Sequence, residues 1–397
     1  MVSCGLPSVS WSSIRNKKQY WPAGGYMLEY VLTAVFVLIT VGAALIINGY
    51  FWGWFYAAST CQDETHYFLA DDGWRLAVHR YRAEGAPKGA PVVLCHGVGA
   101  NRYIFDLPGA PSLARFLSKT GRDIWVVELR GSGMSDRPGL LYSNVPYSWT
   151  FDDHLNFDVP AIINQVIVRT GARAVHWVGH SMGGMLIQAH LAEQERPRIC
   201  SAVTLGSPVD FSKVRMRAVR ILSKMRNFLK LTPIPPMPFN GRLVIPVAHR
   251  IPGYLLGLFY PPNIDSPVVK RIIAVGSELI ASRKLWLDLG RFVDTGEFSN
   301  QQGRRYLERL FESPVPILIA GGGMDMMAPP NSITAACVPG RDVGERVCHI
   351  FGKASGTVED YGHVDLLVGI RSEQEVFPII LSWLEAHDPD KGESVKC

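Results

Sequence analysis

Residues 174–184 read Ala-Val-His-Trp-Val-Gly-His-Ser-Met-Gly-Gly, and this stretch decides the fold. Ala174–Val178 is a short apolar run suited to a buried strand. It passes directly into Gly179-His180-Ser181-Met182-Gly183, and Met182–Ala192 continues as an apolar helix. A Gly-x-Ser-x-Gly motif is informative in this setting, where a strand turns sharply into a helix. The glycines are needed because the turn is strained and neighbouring backbone passes close, which lifts the serine above the sheet with its Oγ exposed. A helix starts at once behind it, so the Met182 N–H is free to donate to a developing oxyanion. Ser181 is the candidate nucleophile, against the plainer reading of a structural Gly-rich turn. His180 lies on the wrong side of this elbow to serve as the base.

Outward from the elbow, short β-rich runs alternate with helical ones. Tyr67–Ala70 and Arg75–Tyr81 flank Asp71-Asp72-Gly73 and predict a hairpin. Further strands are expected at Pro91–Cys95, Ile124–Leu129, Ala202–Leu205, Pro316–Ala320 and Val347–Phe351. Helical stretches lie at Phe151–Thr170 and Glu373–Ala386. This alternation predicts an α/β fold with a mostly parallel sheet flanked by helices.

A serine nucleophile at a strand-to-helix elbow needs an oxyanion donor from the loop after the third strand, then an acid and a base in that chain order. The loop is Leu94-Cys95-His96-Gly97-Val98-Gly99, with the Val98 N–H as the second donor beside that of Met182. His96 and Gly97 support the loop, and Cys95 reads as a small core residue. Asp325 follows an apolar strand through Gly321-Gly322-Gly323, and His363 sits in the loop after the last strand. His363 would take the serine proton, while Asp325 would hold its tautomer. Asp210 is a rival acid, Asp325 could instead cap the turn before Pro329 and Pro330, and Asp365 reads as a structural neighbour of the histidine.

These motifs resemble those of an α/β-hydrolase from about residue 65 to the end. The segment SWTFDDHLNFDVPAIINQVIVRTG at 148–171 and GHVDLLVG at 362–369 are most similar to the acid-lipase branch. The elbow departs from it, with Met182 and Gly183-Gly184 where that branch usually has Gln-Gly. Gly-His-Ser-Met-Gly-Gly is commoner in monoacylglycerol lipases and bacterial esterases, so the substrate is left open. The resemblance implies a serine esterase or lipase with no cofactor and no metal.

Charge divides the 397-residue chain more sharply than its net +5 suggests. Residues 1–62 carry +2, residues 207–312 hold 17 Lys and Arg against 8 Asp and Glu, and the remainder sums to −6. The expected plan is an N-terminal tail and transmembrane anchor (1–62), a first core part (63–206), a cap or lid insertion (207–312) and a second core part (313–397). No charge occurs between Tyr30 and Gln62, the apolar run is long enough to span a bilayer, and aromatics flank it. A cleaved signal and a buried helix are the alternatives. Arg15, Lys17 and Lys18 before the run, with Asp63, Glu64, Asp71 and Asp72 after it, favour a catalytic domain on the non-cytoplasmic side. A start at Met27 would remove that basic flank.

Within the insertion, Lys213, Arg215, Arg217, Arg220, Lys224, Arg226 and Lys230 interleave with apolar residues at three- to four-residue spacing. This predicts a basic amphipathic helix lying on a membrane surface, with anionic lipid as partner, or else a solvated helix packed on the core. Nucleic-acid binding is not expected, because no recognition motif accompanies the charge. The seven cysteines include no CxxC pair, which argues against a structural zinc site. Cys337 and Cys348 could pair in an extracytoplasmic domain. The function expected is hydrolysis of carboxylic esters with apolar acyl groups. The alternatives are an acyltransferase using the same three residues and a catalytically silent membrane binding protein of this fold.

Overall fold

The computed structural model describes residues 23–57, 59–137, 148–214, 242, 245, 258–278, 282–338, 340 and 343–389. Most of the predicted basic helix, from Arg215 to Lys230, lies outside the described residues. The chain divides into two compact units, Met1–Asn48 and Gly49–Cys397. Helix α1 (Ala23–Phe55) makes up the described part of the first unit and continues into the second. Its run Met27–Phe55 is 29 residues of helix, apolar but for Glu29 and a few uncharged polar residues, with mostly exposed side chains. At 1.5 Å per residue it is about 43 Å long, more than the roughly 30 Å of a bilayer core.

The second unit is built on eight strands. They are β1 (Glu64–Leu69), β2 (Arg75–Tyr81), β3 (Val92–Cys95), β4 (Ile124–Val127), β5 (Val175–His180), β6 (Ile199–Leu205), β7 (Ile317–Gly322) and β8 (Arg346–Phe351). Their order in the sheet is β1-β2-β4-β3-β5-β6-β7-β8. The first two pairings are antiparallel and the other five parallel. All eight expected strands form, with ends moved by a few residues. The hairpin closes at Asp71-Asp72-Gly73, where Gly73 takes φ +89° and its N–H donates to Ala70 O at 2.9 Å. From β3 to β7 the strands are mostly apolar and almost wholly buried, as a sheet covered on both faces requires.

Helices α2 (Leu113–Lys119), α3 (Val159–Thr170), α4 (Met182–Glu193), α5 (Arg283–Thr295) and α6 (Phe377–Ala386) are the main ones in this unit. The predicted helix Phe151–Thr170 is continuous, but His154–Asp158 widens to a π-helix. Pro160, one residue beyond Val159, has no N–H to give to a carbonyl four residues back, so the ladder loosens there. The widened turn sets the buried His154 Nδ1 2.8 Å from Asp158 Oδ2. Asp158 also accepts from the Arg130 guanidinium at 2.6 Å, and both side chains are buried. The segment that resembled acid lipases therefore supplies a buried ion cluster.

Between β6 and β7 the described part of the insertion contains α5 and several shorter turns. Phe151, Phe211, Phe292, Phe298 and Tyr306 pack there with ring centroids 4.7–6.3 Å apart. A fully buried aromatic contributes about 2–3 kcal/mol, so this cluster seats α5 on the core. Cys337 and Cys348 form a disulfide that joins the segment after β7 to β8.

Candidate active site

Apart from the rival acid Asp210, which follows β6, the candidate residues lie in loops after the carboxyl ends of β3, β5, β7 and β8, where loops of an open α/β sheet converge. Ser181 follows β5 with φ 53° and ψ −120°, and it is the one non-glycine at positive φ among the described residues. Its N–H donates to Leu205 O at 2.8 Å, which ties the elbow to β6. Close backbone approach explains the glycines around it. A Cβ on Gly179 would fall 2.3 Å from Gly183 O, and one on Gly183 would fall 2.2 Å from Cys95 O. From below, the fully buried Trp177 donates its Nε1–H to Gly183 O at 3.0 Å, linking strand to helix across the turn.

The loop after β3 presses on the serine. A Cβ on Gly97 would sit 2.6 Å from Ser181 Cβ and 3.2 Å from its Oγ, so only glycine lets the backbone pass. His96 is buried and spans this loop. Its Nδ1–H donates to Gly97 O at 2.7 Å, and its Nε2 accepts the Leu129 N–H at 3.1 Å. Burial lowers its pKa, which suits a neutral brace. The Val98 N–H meets no acceptor among the described residues. Met182 opens α4, so no carbonyl of its own helix lies four residues behind its N–H.

His363 and Asp325 meet directly. The Nδ1–H donates to Asp325 Oδ2 at 2.7 Å, with both side chains buried. The other carboxylate oxygen accepts the N–H groups of Met327 and Ala328, each at 2.8 Å. Asp325 thus caps its turn with one oxygen and holds the histidine with the other. Nδ1 carries the proton in this pair, which leaves Nε2 as the basic nitrogen. The two loops are cross-tied, since Met324 N–H donates to Tyr361 O at 2.8 Å. The rival acid Asp210 stands apart and caps a short turn through Ser212 N–H and Oγ.

Residues 90–367 match the alpha/beta hydrolase fold family. The chain belongs to that family. The hydrolase is 25% identical over 346 residues to "Lipase 1" of Drosophila melanogaster, covering 78% of this chain and 74% of that one. It is 34% identical over 143 residues to "Gastric triacylglycerol lipase" of Rattus norvegicus, covering 34% of each. In fold it is similar to a thermophilic esterase from Thermogutta terrifontis, with a TM-score of 0.55, 16% identity, and coverage of 82% of this chain and 100% of that one. Family membership and the lipase relatives make this hydrolase a carboxylic ester hydrolase.

Further residues shape the hydrolase site, and of these Gly206 and Leu258 carry no signal in the sequence. Gly206, just past β6, has φ 58°, and a Cβ there would lie 3.0 Å from His363 Nδ1 and 3.1 Å from Asp325 Oδ2. His180 is buried; its Nε2–H donates to His363 O at 3.0 Å, and the two rings stand 4.7 Å apart. Burial, with the neighbouring His363, pushes the His180 pKa down to about 3, so it stays neutral. Leu258 O accepts from His363 N–H at 3.1 Å and from Val364 N–H at 2.8 Å, so the insertion holds the histidine loop. Asp365 accepts the Gly362 N–H at 2.8 Å, and burial raises its carboxyl to about 7.

Proposed function

We propose that the chain is a membrane-anchored serine esterase or lipase that cleaves esters of apolar acids through an acyl-enzyme. One observation carries this reading: a serine at a strained helix start, packed against the Gly97 backbone, shares its end of the sheet with a buried 2.7 Å His363–Asp325 pair. Ser181 Oγ attacks the ester carbonyl carbon, and His363 Nε2 takes its proton. The negative oxygen of the tetrahedral intermediate accepts from the Val98 and Met182 N–H groups. Collapse breaks the ester C–O bond, and His363 returns the proton to the departing alcohol. Water then gives a proton to His363 and attacks the acyl carbon; the second collapse releases the acid and restores Ser181. Asp325 orients His363 and balances the imidazolium throughout.

Helix α1, in this reading, is retained as an anchor, with the Cys337–Cys348 disulfide supporting a catalytic domain outside the cytoplasm. The basic run Lys213–Lys230 is the part of the chain that binds anionic lipid in this reading. A Ser181→Ala substitution tests the reaction. Hydrolysis of a p-nitrophenyl ester is expected to fall by about 10³-fold or more, and undiminished hydrolysis would sink the proposal.

A further inference from the structure

The loop bearing Val98 contains two glycines, and Gly99 takes φ +68°. Such backbone has wide conformational freedom and needs outside contacts to hold an amide in place. The contacts come from Val275–Glu278 of the insertion. Glu278 N–H donates to Gly99 O at 2.7 Å, and Ala100 and Ser277 form an antiparallel bridge. Asn101 is 2% exposed and uses both ends of its amide. Its Nδ2 donates to Val275 O at 2.8 Å and Glu278 Oε1 at 3.1 Å, while its Oδ1 accepts the Tyr103 N–H at 3.1 Å. The same Glu278 oxygen accepts the Gly133 N–H at 3.2 Å from the loop after β4. Gly97, Val98, Met182 and Glu278 line one recess, so this carboxyl reaches the space beside both candidate oxyanion donors. Burial shifts the Glu278 carboxyl toward its neutral form, against the opposing hydrogen bond from Asn101.

We propose that Asn101 and Glu278 are positioning residues of the oxyanion hole, through which Val275–Glu278 of the insertion sets the course of the His96–Ala100 loop. This rests on the serine mechanism above, with Val98 as donor. An oxyanion donor works only within hydrogen-bond distance of the developing charge, so a loop displaced by a fraction of an ångström loses transition-state stabilisation while still admitting substrate. The insertion then does more than cover the site; seating it completes the site.

The test compares Asn101→Ala, Glu278→Ala, Glu278→Gln and Ser181→Ala with the full-length wild type. kcat and KM are measured on a soluble p-nitrophenyl ester, with active sites counted by end-point fluorophosphonate labelling. Asn101→Ala and Glu278→Ala are expected to lose kcat per labelled site by about tenfold or more, with KM changed by less than about threefold. Glu278→Gln keeps the acceptor for Asn101 and Gly133, and it is expected to stay within about threefold of wild type in kcat. Unchanged kcat per labelled site in both alanine variants overturns the proposal, as does a Glu278→Gln loss equal to that of Glu278→Ala. Activity surviving in Ser181→Ala defeats the serine mechanism instead, whatever the other variants do.

Discussion

Ser181 is held in backbone that costs a non-glycine residue about 1–3 kcal/mol. The surroundings enforce it through the Leu205 hydrogen bond, the Trp177 tie and the glycines that let β3 and α4 close in. Gly206 is the matching restraint on the His363–Asp325 pair. An alanine there would meet positive φ and place a methyl at 3.0–3.1 Å from the paired atoms, tighter than ordinary contact. Gly206→Ala is expected to lower kcat/KM by about 10²-fold while costing only about 1–2 kcal/mol of stability. Ester kinetics and thermal unfolding of the same preparation check this, and wild-type kinetics would show that the pair tolerates displacement. Ser181, Asp325 and His363 were legible as candidates because each follows a strand in a fixed order. Gly206, Asn101 and Glu278 were not, because a glycine after a strand and polar residues in loops carry no local pattern; their meaning comes from contacts distant in sequence.

At the scale of elements, apolar content marked the strands and the elbow marked α4. The π-turn at His154–Asp158 was missed because helix periodicity ignores one extra residue per turn. Its cause is local all the same: Pro160 withholds a hydrogen bond where Arg130 and His154 converge on Asp158. The two proposed membrane elements are expected to make separable contributions. A chain beginning at Gln62 is expected to leave alkaline-washed membranes, since α1 is gone, yet to co-sediment with anionic vesicles through Lys213–Lys230. Reversing Arg217, Arg220 and Lys224 to Glu should weaken that co-sedimentation by about tenfold or more, because each basic residue near an anionic surface contributes about 1 kcal/mol. Hydrolysis of a soluble short-chain ester should be unaffected. Equal co-sedimentation before and after reversal would assign the basic run to packing on the core.

Across the whole molecule, position in the sheet separates chemistry from structure. A hydrogen-bonded serine–histidine–aspartate set lies near the amino ends of β5 and β6. His176 Nδ1 lies 2.9 Å from Ser201 Oγ, and its Nε2 lies 3.0 Å from Asp388 Oδ1. Ser201 and His176 are fully buried, and Asp388 also binds Arg122 at 2.7 Å and the Ala90 N–H at 3.0 Å. This set fastens the segment after α6 to the sheet, and its serine lies inside β6 rather than at a strand-to-helix elbow. The fold and the candidate site were therefore legible together, since the strand order that builds the sheet also brings Ser181, Asp325 and His363 to one end. What stayed hidden was how the insertion grips that end, through Leu258 on the histidine loop and Glu278 on the β3 loop. The central claim is that Ser181 alone forms the covalent intermediate. Peptide mapping of the full-length chain after fluorophosphonate treatment tests it most directly. The account predicts one adduct, on Ser181, absent from Ser181→Ala; an adduct on Ser201 or elsewhere, or labelling that survives in Ser181→Ala, would contradict it.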